Sequence, residues 1–137
     1  VYPEELKVLL NTLKESGASA VFGNCDYKDE KGRNLGRSSF GQNAVRFLGW
    51  GPDLIPQPAS LLRLSDVRKV GFLDESFKLA FDYDLFLRLK ELRGVVHTPV
   101  TVGFFTWHRD SLSVSNRFPS SIEAVKARLK SSSALVF

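Results

Sequence analysis

The sequence predicts an α/β or α+β domain, and three observations carry that reading. A helical apolar stripe with start and stop signals opens the chain. Short, β-rich apolar runs bounded by Gly, Pro and Asp lie in its first and last thirds. The clearest helix after the first, Asp82 to Leu92, stands between them. The 137 residues carry no internal repeat and no linker, so 1–137 reads as a single domain.

Pro3 suits the first helical position, because its missing N–H would have no partner there. Glu4 and Glu5 suit the positive end of the helix dipole. Leu6, Leu9, Leu10 and Leu13 form the stripe, and Gly17 ends it. Ala20 to Gly23 reads as a short buried strand, continuing less clearly through Cys25 and Tyr27. Asp29-Glu30-Lys31-Gly32 is a turn, with Arg33 to Ser38 as the return of a hairpin. Gln42 to Leu48 is a short helix inside a loop from Ser39 to Pro58, which Gly49, Gly51, Pro52, Pro56 and Pro58 keep irregular.

Ala59 to Leu64 reads as a strand. Ser65 or Asp66 caps a short helix that Gly71 closes. The helix from Asp82 ends at Gly94. Val95-Val96 and Val100 to Trp107 are strands separated at Pro99. Ser120 or Ser121 caps the last helix, with Ile122, Val125 and Leu129 on one face.

With 43% hydrophobic and 25% charged residues, the composition excludes a disordered or collagen-like chain. The net charge of +4 is scattered without a Lys/Arg block, so no nucleic-acid partner is expected. A single cysteine, Cys25, excludes an intramolecular disulfide and a Cys-rich zinc site; it is expected to be buried and inert. Apolar runs stay well short of the roughly 20 residues that span a bilayer. Val1 is not Met, and the chain closes on Ala134-Leu135-Val136-Phe137, so both ends are expected to be cuts in a longer protein.

Asp82 is the first candidate for chemistry. On the helical wheel it projects toward the apolar stripe of Leu85, Leu89 and Leu92, where a carboxylate is costly unless paired or working. It is either an N-cap or a general base whose pKa Phe81 helps to raise. Asp84 points away from that stripe, one turn before Arg88, and reads as an i, i+4 ion pair. Asp82-Tyr83-Asp84 is also an Asp-x-Asp, but on a helix the two carboxylates diverge and fit a divalent cation poorly. His108 can bind a metal or a phosphate, and Arg109 can grip an anion. His97 reads as structural, and Arg63, Arg68 and Lys69 as a solvated face. Phe40, Phe47 and Trp50 in the long loop suit stacking on a carbohydrate or docking of a protein.

Several segments, in order, resemble the family 2-like glycosyltransferases of the GT-A fold. Tyr2-Pro3-Glu4-Glu5-Leu6 resembles the stretch after that family's metal-binding aspartates. Gly23 to Gly32 resembles its "G-x-x-x-x-x-D-x-x-G" hairpin. Gln57 to Arg63 resembles the lead into "G-F-D-E-x-F", here Gly71 to Phe77 with one residue inserted. Ala80 to Arg88 is similar to "E-D-x-D-L-x-x-R", and His108 to Ser113 to "H-x-x-S-x-S".

The resemblance implies the C-terminal part of a GT-A fold, a mixed sheet flanked by helices. It implies an inverting transferase, typical of bacterial cell-envelope polysaccharide work, with Asp82 as catalytic base. His108, Arg109, Trp50 and Gln57 would lie on the acceptor and diphosphate side, and Asp84 and Arg88 would support the motif. His108 would also be the metal candidate. The partners implied are a nucleotide-diphospho-sugar and a glycan or lipid-linked acceptor. The cofactor implied is Mn or Mg in the parent enzyme, none of it held by this chain. Where the family often has Glu before the base, this chain has Phe81. The family's donor half precedes Val1, so the chain alone is expected to be inactive, with sheet edges through which two copies pair. The parent is expected in the cytoplasm or at a membrane. The competing expectation is a stand-alone carbohydrate- or protein-binding domain.

Overall fold

The structure, a computed structural model, describes residues 2–38, 40–50, 54–78, 80–106 and 117–135, the last segment with side chains from 122 to 131. It is α/β, a mixed four-strand sheet between helices. Strand β1 (Ala20–Lys28) is the centre, and β4 (Val95–Thr106) runs parallel along one edge of it, from Ala20 opposite Val95 to Lys28 opposite Thr106. Two shorter strands share the other edge, both antiparallel: β3 (Ser60–Leu62) at the start of β1 and β2 (Asn34–Arg37) at its end.

Alternation along β1 divides the core. Val21 and Cys25 face helix α1 (Pro3–Ser16), packing with Leu9, Leu13 and Val102. Ala20 and Phe22 face the other way. There they meet α2 (Asn43–Arg46), α4 (Phe81–Leu92) and α5 (Arg117–Leu135) through Ala44, Val45, Tyr83, Phe86, Leu89 and Ala127. Helix α3 (Leu64–Lys69) links β3 to the loop before α4. No helix among the described residues is long and apolar enough to cross a membrane.

The helix signals act as their chemistry dictates. Pro3 opens α1 and Gly17 closes it at φ 69°. Within the predicted stripe, Leu10 is exposed, because Leu9 and Leu13 already meet the sheet. Neither Ser65 nor Asp66 caps α3: Arg63 occupies the N-cap, and Asp66 is buried instead. Its carboxylate accepts from Ser19 Oγ at 2.8 Å and pairs with Arg93 at 2.5 Å. Arg63 is not part of a solvated face either. It donates to the carbonyls of Ala18 (3.0 Å) and Leu13 (2.5 Å), tying β3 to the end of α1.

Two larger differences concern β4 and α5. Pro99 does not break β4. Between Phe22–His97 and Asn24–Thr101 the strand spends four residues against two of β1, so the proline, which has no N–H to give, sits in a bulge. Helix α5 already runs from Arg117, so neither Ser120 nor Ser121 caps it, and the face that carries Ile122, Val125 and Leu129 is exposed. Glu123, Ala127 and Lys130 face α4 instead, because the approach to α4 offers unpaired N–H groups and Asp84 offers a buried carboxylate.

Candidate functional site

The amide of Asp84 donates to Ala80 O, so the first turn of α4 closes at Ala80, which is the N-cap and makes no side-chain cap bond. Asp82 is therefore the second helical residue rather than the cap. Its Oδ1 accepts the Tyr83 N–H at 2.8 Å, and the carboxylate stands at the positive end of the helix dipole. Burial pushes the Asp82 pKa up, with backbone N–H donation opposing.

Asp82 lines a cleft of about 650 Å³. Its walls are chiefly apolar, from Leu62, Val67, Phe72, Phe81 and Phe86, and Gln57, Ser60 and Glu75 are its other polar lining groups. The fold thus brings together two residues singled out from sequence, Asp82 and Gln57, from α4 and from the 3-10 turn Gln57–Ala59 that leads into β3. A half-buried carboxylate among apolar walls is suited to accepting a proton from a hydroxyl held beside it.

Asp84 has the opposite surroundings. It points away from the apolar stripe yet is buried. Its Oδ2 pairs with Arg88 at 2.9 Å, and Lys130 of α5 reaches its Oδ1 at 3.2 Å. Lys130 also bonds Asp74 at 2.8 Å. Arg88 continues outward, donating to Val70 O at 2.6 Å and Phe72 O at 2.7 Å. The Asp84–Arg88 pair therefore holds the main chain that forms one wall of the cleft. Asp82 and Asp84 have different neighbours and do not converge, so this Asp-x-Asp does not fit a divalent cation. Among the described residues no three His, Cys, Asp or Glu side chains gather as a metal site.

Glu123 of α5 is a contributor that no sequence signal marks. Its two carboxylate oxygens accept the N–H groups of Lys78 and Ala80, each at 2.9 Å, fixing the chain that enters α4. The Tyr83 hydroxyl bonds Leu48 O and ties α4 to the end of α2.

The remaining sequence candidates lie apart. Trp50 is 84% exposed and does not line the cleft; Phe40 and Phe47 are also exposed, in the same loop. His108 and Arg109 lie outside the described residues. His97 is half-buried: its Nε2 lies 2.9 Å from Asn24 Oδ1, and its ring packs on Phe22. Burial lowers its pKa. Cys25 is buried, which pushes its thiol pKa up.

No family model matches this chain, and no curated protein does.

Phe72, Glu75, Glu123 and Lys130 were not foreseen in these places. Only the Gly71-Phe72 pair carried a local signal, since Gly71 ends α3 and fixes where the next side chain leaves the turn.

Proposed function

We propose that this chain is the acceptor and base portion of an inverting glycosyltransferase of the GT-A type. The observation that carries the reading is the Asp82 carboxylate, half-buried with a raised pKa in an apolar-walled cleft beside Gln57. The mixed sheet with helices on both faces supports the fold part of the reading.

In this reading the cleft takes the acceptor. Asp82 removes the proton of the acceptor hydroxyl as that oxygen attacks the anomeric carbon of a nucleotide-diphospho-sugar from the face opposite the diphosphate. The new carbon–oxygen bond forms as the bond to the phosphate oxygen breaks. The diphosphate leaves with the electron pair, the configuration inverts, and the proton stays on Asp82. Gln57 orients the acceptor, while Asp84 and Arg88 hold the cleft wall. The donor, with its divalent cation, belongs to a part of the parent enzyme outside this chain, and the chain alone does not turn over.

The test is transfer by a parent protein containing this chain, assayed with nucleotide-diphospho-sugars and hydroxylated acceptors. Asp82→Asn is expected to lower turnover by about 10²–10⁴-fold, the usual share of a general base, and to leave donor binding intact. Undiminished turnover in that variant would remove Asp82 from the role.

A second reading, a carbohydrate- or protein-binding domain, is favoured by the exposed aromatics Phe40, Phe47 and Trp50. It expects ligand binding that needs neither nucleotide nor metal and that falls on Trp50→Ala while surviving Asp82→Asn.

A further inference from the structure

Helix α3 ends in a Schellman motif. The Gly71 N–H donates to Arg68 O at 3.1 Å, and the Phe72 N–H to Val67 O at 2.9 Å. That motif requires one left-handed residue, and Gly71 supplies it at φ 87°. Phe72 is nevertheless left-handed too, at φ 63°, and it is the only non-glycine with positive φ among the described residues. A bulky aromatic in that region is strained, and such strain persists where the surroundings impose it. Here Arg88 imposes it, gripping Val70 O and Phe72 O while Asp84, itself paired with Lys130, holds the guanidinium.

The strain brings no burial of the ring. Phe72 is 52% exposed and lines the cleft that contains Asp82. Among the described residues, the ionisable groups lining that cleft are Asp82 and Glu75, and none is Lys, Arg or His. From these residues an anion would meet only like charge, whereas a neutral ring with an apolar face would cover Phe72 and present a hydroxyl toward Asp82.

We infer that Phe72 is the acceptor-stacking residue of this site, held ready by Asp84 and Arg88, and that the group entering the cleft is a neutral hydroxylated ring rather than a phosphorylated one. The inference rests on the transferase reading in treating the cleft as the acceptor site. Arg88 acts through Phe72 and is a positioning residue.

The experiment titrates the folded chain with phenyl β-glucoside and, separately, with glucose 6-phosphate, following binding by ligand-observed NMR and stability by thermal melting. Phe72→Gly removes both ring and strain; Phe72→Trp keeps a ring. The expected result is that Phe72→Gly melts at or above the parent temperature yet binds the glucoside at least tenfold more weakly. Phe72→Trp keeps most of the affinity, and the phosphate binds weakly to all three proteins. Unchanged glucoside affinity in Phe72→Gly, no glucoside binding by the parent chain, or equally tight binding of the phosphate would each overturn the inference. A lower melting temperature for Phe72→Gly would overturn the strained, held-ready part of it. Failure of the transferase reading is separable: turnover surviving Asp82→Asn removes the base while the Phe72 binding result stands.

Discussion

Asp82 holds its proton to higher pH than a solvated aspartate because burial disfavours the charged form. With the folded pKa above the unfolded one, the native state binds the proton more tightly, and this group's contribution to stability declines as pH rises through that window. Asp82→Asn, neutral throughout, is therefore expected to raise the urea midpoint near neutral pH while removing transfer. A combined denaturation and activity measurement checks both. Asp84 answers in the opposite direction: Asp84→Ala leaves Arg88 and Lys130 facing a vacated site and is expected to cost about 3 kcal/mol in urea unfolding. The sequence already separated these carboxylates, since the wheel sends Asp82 to the apolar side and Asp84 to Arg88. It did not show that Asp84 is buried, because the covering Lys130 lies 46 residues away.

Among the elements, α1 and α4 were legible almost to their ends, because Pro3, Gly17 and Gly94 act within a single turn. Strand β4 was not, since Pro99 reads as a break unless the partner strand permits a bulge. On α5 hydrophobic periodicity groups Ile122, Val125 and Leu129 on one face, while Glu123 and Lys130 settle which face turns inward. Of the cleft, periodicity indicated Asp82 and resemblance indicated Gln57. The Phe72 wall is held by Arg88 across 16 residues, which the local Gly71-Phe72 signal does not reveal. Two substitutions test these contacts. Gly23→Ala places a methyl 2.6 Å from both Val100 O and Val102 Cγ2 at the β4 bulge, and is expected to cost about 2 kcal/mol. Glu123→Ala leaves the Lys78 and Ala80 N–H groups without their acceptor and is expected to cost about 2 kcal/mol. Denaturation midpoints check both.

For the molecule as a whole, the acid limb of stability is set by a group of aspartates with lowered pKa. Arg37 lowers Asp26, the Arg33 N–H lowers Asp29, Arg93 lowers Asp66, and Lys130 lowers Asp74. Each folded pKa lies below the ordinary value of about 3.9, so this stability is present above that pH and is lost as pH falls toward the folded pKa values. The urea midpoint is expected to drop as pH falls from about 4 to about 2, less steeply in Lys130→Ala, which frees Asp74. Asp82, whose pKa is raised, contributes with the opposite sign.

The parallel pairing of β1 with β4 also bears on how the chain is made. Ala20 meets Val95 across 75 residues, and no nearer segment occupies that edge of β1 among the described residues. At ribosomal rates of about 5–20 residues per second, β1 waits about 4–15 seconds for its partner to be synthesised. Throughout that interval Ala20, Val21 and Phe22, all buried in the finished fold, lack their main partner strand. The sheet therefore cannot close along that edge until β4 has left the ribosome, and long-range parallel pairing of this kind is intrinsically slow to form.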